Sequence, residues 1–356
     1  MPAVAYDWQV EITPAGELFP ALQLSQIART AASAAGGGDG LVSVRIRGAD
    51  IPAAVRLRID TPGLRATAVV DATKTSGSDL LELHPRLDWD VEALRRLSNP
   101  RRQILHVTLE STGRPDESRS IDVRLHPLDD ALYFVREGPD RVDLGWAFAG
   151  YVDPHAAVVD DILASARNLD PQFDADVHDD EADLRRVGAV WAALEQRGLR
   201  YADGSPALAQ GPAIWSQRVR LLDDVWRDRR ANCLDSSVLI AAVLERLGLH
   251  AFIVLIPTHA FVGYFRGGDR RDPVTLETTL LGLAPTGAGA NFARARAAGS
   301  VRWRKVAARL DGRHGPDYAL IDIVTARAYG IIPLVVGDDA PMQASGHARP
   351  RGKAVR

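Results

Sequence analysis

The sequence predicts an α+β protein, in which a β-sandwich-like domain over residues 1–137 precedes a mixed domain over residues 138–336. The first region carries short runs that alternate apolar and polar residues, such as Leu41–Arg47 and Ala54–Ile59. This alternation is typical of strands with one buried face, and turn-forming clusters separate the runs. From His155 onward, apolar residues recur at helical spacing. In the second domain we expect a buried helix to pack on an antiparallel sheet.

Besides the helix at Cys233, five segments of the second region are predicted to be helical, and in Glu181–Arg197 apolar residues recur mostly three and four positions apart. They are Ala156–Leu169, Glu181–Arg197, Arg218–Arg229, Asn291–Ala298 and Tyr318–Tyr329. Beyond Gly337 the chain is rich in Gly, Pro, Ala and basic residues, with few large apolar side chains. Residues 337–356 are therefore predicted to form a disordered tail.

The composition argues against several function classes. The 356 residues contain 43 Lys and Arg against 46 Asp and Glu, so they lack the basic excess of a nucleic-acid-binding protein. A single cysteine excludes an intramolecular disulfide framework and a Cys-rich zinc site. The GxGxxG, P-loop and GxSxG patterns are absent, and neither a cofactor nor a metal is expected. Since no secretory signal or membrane-length apolar run is visible, we expect a cytoplasmic protein without a membrane partner.

The only cysteine, Cys233, opens an apolar run with helical character. Every residue of Val238–Leu244 is apolar, which predicts a helix buried on all sides, and Gly248 is a helix stop. Either Asn232 or Cys233 would occupy the N-cap position. A thiol at a helix N-terminus meets unpaired backbone N–H groups, which favour the thiolate and can hold an oxyanion. Cys233 is therefore the candidate nucleophile.

Two histidines compete for the role of general base, because His250 and His259 each begin a His-Ala-Phe sequence. A helix of about 14 residues rises about 21 Å, and the strand that follows it can return the chain toward the helix start. This return would bring His259 close to Cys233. His250 would lie at the far end of the helix, so we predict that His259 is the base and that His250 is structural.

A carboxylate is needed to orient the imidazole and stabilise its charged form. If the runs that begin at His259 and Val274 form a hairpin centred on Gly268, then Glu277 lies directly across from His259. Glu277 is therefore the predicted third member of the site. Two nearer carboxylates are predicted to be loop residues, Asp269 and Asp272.

The order of these residues resembles the transglutaminase-like superfamily of papain-type fold, as in its bacterial members. The matching elements are a cysteine at a helix start, a glycine after that helix, His-Ala after a strand, and an acidic residue on the next strand. In this sequence they are Asn232-Cys233, Gly248, His259-Ala260 and Glu277-Thr278-Thr279. The resemblance covers about Val187 to Leu280. Three positions depart from the usual family residues (Gly, Trp and Asp, respectively): Ala231, Phe261 and Glu277.

The leading hypothesis is a cysteine hydrolase that cleaves peptide or amide bonds with a Cys-His-Glu triad. Cys233 would attack the carbonyl, His259 would accept the thiol proton and later protonate the leaving amine, and water would release the thioester. A side-chain N–H of Gln217 or Trp215 is a candidate oxyanion donor, and a packing or loop role is the alternative for both. The expected substrate is a protein or peptide.

Two rival hypotheses remain open at the level of the sequence. In the first, an amine resolves the thioester, which makes the protein a transglutaminase or amine acyltransferase. In the second, the papain-type domain is an inactive scaffold and the β-domain binds a partner. The two-domain layout also suggests regulation through a protein partner that binds the β-domain.

Overall fold

The computed structural model of the protein describes most of the chain. The described residues are 6–26, 41–62, 66–177, 179–202, 209–210, 213–267, 269–283 and 290–334. Helices and largely antiparallel sheets both occur among them, and none of the helices there is long and apolar enough to span a membrane. The predicted tail at 337–356 lies outside the described residues.

The N-terminal alternating runs form strands in two separate sheets. One sheet has the order β2-β8-β7-β4-β5 and is antiparallel except where β2 meets β8; the other is antiparallel, with the order β1-β3-β6. These elements, with two short helices, are β1 (Tyr6–Ile12), β2 (Glu17–Leu18), α1 (Pro20–Leu24), β3 (Val42–Gly48), β4 (Ala54–Thr61), β5 (Ala66–Thr73), β6 (Leu80–Leu83), α2 (Val91–Arg95), β7 (Arg101–Ser111) and β8 (Glu117–Leu125).

The apolar faces of these two sheets contribute to one hydrophobic cluster. Burial alternates along β4, so that Val55, Leu57 and Ile59 point inward. They share the cluster with Val44 and Ile46 of β3, which belongs to the other sheet. Burial of an aliphatic side chain contributes about 1.5–3 kcal/mol, so this shared cluster is the main source of stability that holds the two sheets together.

The rest of the chain forms two further four-stranded sheets, a short two-stranded ladder and six α-helices among the described residues. The sheet orders are β10-β9-β13-β12 and β17-β16-β15-β18, and the short ladder is β11-β14. The elements are β9 (Asp130–Glu137), β10 (Asp140–Asp143), α3 (Ala157–Leu169), α4 (Asp180–Arg197), β11 (Arg200–Tyr201), β12 (Ala209–Gln210), β13 (Ile214–Arg218), α5 (Leu222–Asp228), β14 (Arg230–Ala231), α6 (Cys233–Arg246), β15 (His250–Ile256), β16 (His259–Arg266), β17 (Asp269–Leu276), α7 (Ala290–Val306), β18 (Ala319–Asp322) and α8 (Ile323–Ala328).

Helix α6 lies against the antiparallel sheet β17-β16-β15-β18. Its residues Val238–Leu244 are fully buried, because a helix that is apolar on every side needs neighbours on every side. Its side chains share one hydrophobic cluster with Ile253 of β15, Val262 of β16 and Leu276 of β17. This packing places the start of α6 beside the start of β16 and the end of β17.

The strand β9 connects the two regions of the chain. It pairs with β13 in antiparallel register, with Val135 opposite Ile214, and a bulge lies between Trp215 and Ser216 of β13. The predicted domain boundary at 137/138 falls between β9 and β10, which also pair with each other.

The C-terminal segment differs from the helix predicted over Tyr318–Tyr329. Residues 319–322 form β18 instead, with Ile321 opposite Ile253 of β15. Only then does α8 begin, capped by Asp322, whose carboxylate accepts the Thr325 N–H at 3.0 Å. The prediction was wrong because the run Ala-Leu-Ile-Asp is too short to have a clear period, and its pairing partner lies about 70 residues earlier in the chain.

The packing of α7 on β17 depends on Gly299, which leads to a first prediction. A Cβ atom at this position would lie 2.5 Å from the Thr275 carbonyl oxygen and 2.9 Å from the Leu276 nitrogen. We expect Gly299→Ala to destabilise the protein by about 1–3 kcal/mol, because backbone atoms must move apart. This loss would outweigh the ~1 kcal/mol that alanine gains over glycine in helix propensity.

Denaturant unfolding of the variant measures this effect. Ser300→Ala, at the next and exposed position of α7, is the control, and we expect a change within ~0.5 kcal/mol. If Gly299→Ala stabilised the protein, the helix would not depend on this close approach.

Candidate functional site

The start of α6 is fixed by a reciprocal cap. The Asn232 carboxamide oxygen accepts the backbone N–H groups of Leu234 and Asp235, both at 2.8 Å. The Asp235 carboxylate in turn accepts the N–H of Asn232 at 3.3 Å and that of Arg220 at 3.0 Å. Asn232 is therefore the N-cap and Cys233 is the first helical residue, which resolves the two alternatives that the sequence leaves open.

The cap has a chemical consequence for Cys233. It uses the N–H groups of the second and third helical residues, so only the first, that of Cys233 itself, is left to face an incoming anion. The carbonyl oxygen of Cys233 accepts hydrogen bonds from Ser237 Oγ at 2.6 Å and Thr278 Oγ1 at 3.2 Å. These contacts fix the backbone at the half-buried cysteine, whose side chain lines a cavity.

His259, the first residue of β16, lies between the thiol and a carboxylate. Its ring is hydrogen-bonded to Cys233, and its Nε2 lies 3.0 Å from Glu277 Oε2. Burial alone would lower the pKa of His259, but the hydrogen bonds to Cys233 and Glu277 outweigh burial and raise the pKa to about 9. The imidazole is therefore held in its charged form at neutral pH.

Glu277 is a buried carboxylate with donors on both oxygens. Glu277 is 2% exposed. Its Oε1 accepts a hydrogen bond from the Thr279 hydroxyl at 2.8 Å. Its Oε2 contacts both His259 Nε2 and Arg302 Nε, the latter at 2.6 Å. Burial would raise the pKa of Glu277, but the bond from His259, the Thr279 hydroxyl and the Arg302 charge together lower it to about 2. The carboxylate is thus ionised across the physiological range of pH.

The register of the hairpin differs from the prediction, although the contact is made. A bulge lies between Tyr264 and Arg266, and beyond it Val262 is opposite Leu276, where β17 ends, one residue before Glu277. The register is displaced by two residues from a hairpin centred on Gly268. An even displacement keeps each side chain on the same face of the sheet, which is why Glu277 still contacts His259.

Arg302 is a site residue that the sequence reasoning missed. The predicted helix Asn291–Ala298 ended too early, whereas α7 continues to Val306 and carries Arg302 over the end of β17. The continued helical spacing of basic and apolar residues after Ala298 was the available signal. The pairing with Glu277 itself depends on how α7 packs and has no local sequence signal.

The cavity in front of Cys233 and His259 has a volume of about 590 Å³. The two predicted oxyanion candidates, Trp215 and Gln217 of β13, both line it. The Trp215 ring packs edge-on against Phe134, with ring centroids 5.2 Å apart, and Gln217 Nε2 donates to the Arg218 carbonyl at 3.4 Å. The structure therefore places both candidates in the same cavity as the cysteine.

The remaining candidates lie apart from this cavity. His250 Nε2 is 2.9 Å from Asp322 Oδ1, and His250 is outside the described lining of the cavity. Asp269 and Asp272 belong to β17 and not to a loop, so that prediction was wrong; the Asp272 carboxylate lies 3.3 Å from Arg266 Nη1. In the part of the chain that the structure describes, no group of three or more His, Cys, Asp or Glu side chains is arranged to hold a metal ion.

Comparisons with known proteins add little to this geometry. No family model matches the chain, and no curated protein matches it. Six solved chains match by structure, among them a crystal structure from Parabacteroides distasonis described as a candidate protease. That match has a TM-score of 0.21 and 13% sequence identity, and it covers 60% of this chain and 36% of the other. A likeness this weak carries no argument about function.

The charge on Glu277 should control the proton affinity of His259. We expect Glu277→Gln to lower the pKa of His259 from about 9 toward its usual value near 6.5, because the carboxylate is a main contributor that raises it. Imidazole NMR signals followed from pH 5 to 10 measure this pKa, with His250 as an internal reference. A raised folded-state pKa stabilises the fold below about pH 6.5, and that contribution is lost as the pH rises through about 9. An unchanged pKa in Glu277→Gln would contradict this account.

The Arg302 guanidinium contacts Glu277 Oε2, the oxygen that also binds His259. Its positive charge opposes the effect of the carboxylate on the pKa of His259. We expect Arg302→Met to raise the pKa of His259 by roughly half a unit or more, because the positive charge that offsets Glu277 is removed. Arg302→Lys should restore part of the original value, and Arg304→Met, at an exposed position of α7, should leave it unchanged. If the pKa fell instead, Arg302 would serve mainly to hold Glu277 against the imidazole.

Proposed function

We propose that the protein is a cysteine hydrolase that acts on peptide or amide bonds. The observation that carries this proposal is the hydrogen-bonded line from Cys233 through His259 to Glu277, which opens into a cavity of about 590 Å³. A nucleophile, a base and a group that orients the base, all within hydrogen-bond reach, are the recurring requirement of acyl transfer.

The positions of the ring nitrogens assign their roles. Since Glu277 binds Nε2 of His259, the other nitrogen, Nδ1, is left to serve the sulfur of Cys233. The imidazolium stabilises the thiolate, which attacks the substrate carbonyl carbon. Charge that develops on the carbonyl oxygen is met by the Cys233 N–H and by a side-chain N–H of Gln217 or Trp215.

The proton on His259 is transferred in the later steps of the reaction. His259 donates it to the leaving amine as the tetrahedral intermediate collapses, which leaves a thioester on Cys233. The neutral imidazole then takes a proton from water, and the resulting hydroxide attacks the thioester and releases the acid. The buried Glu277 stays ionised throughout, and Arg302 compensates its charge.

The fold supports an assignment to the transglutaminase-like, papain-type architecture for residues 138–336. A cysteine that starts a buried helix, a histidine that starts a strand, and an acid at the end of the adjacent strand are the features that carry this assignment. The two sheets that share an apolar cluster support a β-sandwich for residues 1–137, which we propose as the surface for a regulatory protein partner.

The mechanism requires both Cys233 and His259, which a peptide library tests. We expect Cys233→Ala to abolish turnover and His259→Asn to lower it by about 10²–10⁴-fold. The matched control is His250→Asn, which changes the other His-Ala-Phe sequence and should retain turnover. Cys233→Ala should keep its melting temperature within a few degrees, because the Asn232 cap is preserved.

The same experiment separates the rival functions. Mass spectrometry identifies cleaved or deamidated peptides if water resolves the thioester, and new isopeptide links if an amine does. Full activity of Cys233→Ala would exclude the mechanism altogether. If the native thiol failed to react with iodoacetamide near neutral pH while the unfolded chain reacted, the inactive scaffold would be favoured.

A further inference from the structure

The described lining of the cavity contains a carboxylate but no Lys or Arg. Behind the cavity, Glu277 pairs with Arg302, whose Nε lies 2.6 Å from Glu277 Oε2. Among the described residues that line the cavity, Asp317 is the one remaining charged side chain, and neither Lys nor Arg lines it. The described lining of the cavity therefore offers one carboxylate, Asp317, that neither a Lys nor an Arg of the lining can pair with.

Asp317 is placed to meet a ligand. It lies just before β18 and its side chain is exposed. Among the described residues its carboxylate has no ion-pair or hydrogen-bond partner, so its charge is not compensated by the protein there. The negative charge of Asp317 acts on Tyr133, a half-buried residue that also lines the cavity. The pKa of Tyr133 is raised, mainly by burial and secondly by Asp317.

Half-buried aromatic side chains line part of the same cavity. The half-buried Tyr133 packs on the buried Phe148 with ring centroids 5.6 Å apart. The half-buried Trp215 lies on the β13 side of the cavity, and the Arg136 guanidinium lies 5.4 Å from its ring centroid. Aromatic faces attract cations and also accept the aliphatic stem of a Lys or Arg side chain. A carboxylate beside aromatic rings is the arrangement that binds a long cationic side chain along its whole length.

We propose that the site selects acyl donors that carry a Lys or Arg side chain close to the scissile bond, and that Asp317 is the residue that determines this preference. This inference rests on the proposed function, since it takes Cys233 as the nucleophile. The Lys or Arg stem lies along the aromatic wall and its charged end pairs with the Asp317 carboxylate.

Charged thiol reagents test the proposal without a known substrate. Methanethiosulfonates transfer their thioalkyl group onto a thiolate and release methanesulfinate, and Cys233 is the only cysteine in the 356 residues. The rates of modification are measured by intact mass at low ionic strength for a trimethylammonium, a neutral and a sulfonate reagent. The same rates on the urea-unfolded chain give the intrinsic ratio.

We expect the folded protein to favour the cationic over the anionic reagent relative to the unfolded chain. Asp317→Asn should reduce the cation-to-anion rate ratio by roughly five-fold, and added salt should reduce it in the unmodified protein. Asp116→Asn removes one charge at an exposed position that does not line the cavity, so the ratio should stay unchanged. A peptide library should show the matching preference for Lys and Arg in the unmodified protein and its loss in Asp317→Asn.

The reagent rates distinguish an error in the substrate preference from an error in the choice of nucleophile. If Cys233 reacts quickly with all three reagents and Asp317→Asn has the same ratio as the unmodified protein, the substrate preference is wrong and the nucleophile stands. If the folded protein is inert to all three reagents while the unfolded chain reacts, both the nucleophile and the preference are overturned.

Discussion

The ionised carboxylate of Glu277 is the constraint on which the arrangement of the site depends. A buried charge costs several kcal/mol unless charged and hydrogen-bonding partners compensate it. Here His259 at the start of β16, Thr279 after β17 and Arg302 on α7 together provide those partners. Their convergence requires α7 to lie close to β17, and Gly299 permits that approach. The charge that orients the imidazole thus depends on the packing of α7 against β17.

The start of α6 shows a second compromise between structure and chemistry. A helix N-terminus offers several N–H groups to an anion, but the Asn232 cap uses two of them to fix the first turn. The cap stabilises the first turn of α6, but it leaves fewer N–H donors for an anion. Trp215 and Gln217 of β13 line the same cavity as Cys233. An oxyanion site built this way needs one donor from the helix and one from the strand.

The sequence was informative where local chemistry decides the structure. The apolar stretch after Cys233 and the helix stop at Gly248 predicted α6, and chain reach placed His259, not His250, beside the thiol. Local patterns could not predict the strand bulge that shifts the hairpin register, because a bulge depends on both paired strands. Arg302 and Asp317 were missed for a related reason. Each joins the site through packing of segments distant in the chain.

The pairing of β9 with β13 determines where the chain can be truncated. Tyr133 of β9 forms part of the cavity wall, and β13 carries Trp215 and Gln217. A fragment that began at residue 138 would lose β9 and leave one side of β13 without hydrogen-bond partners. Such an open strand edge recruits other chains and promotes aggregation. A truncation that keeps this edge covered has to begin before Asp130, inside the region whose sequence pattern is β-rich.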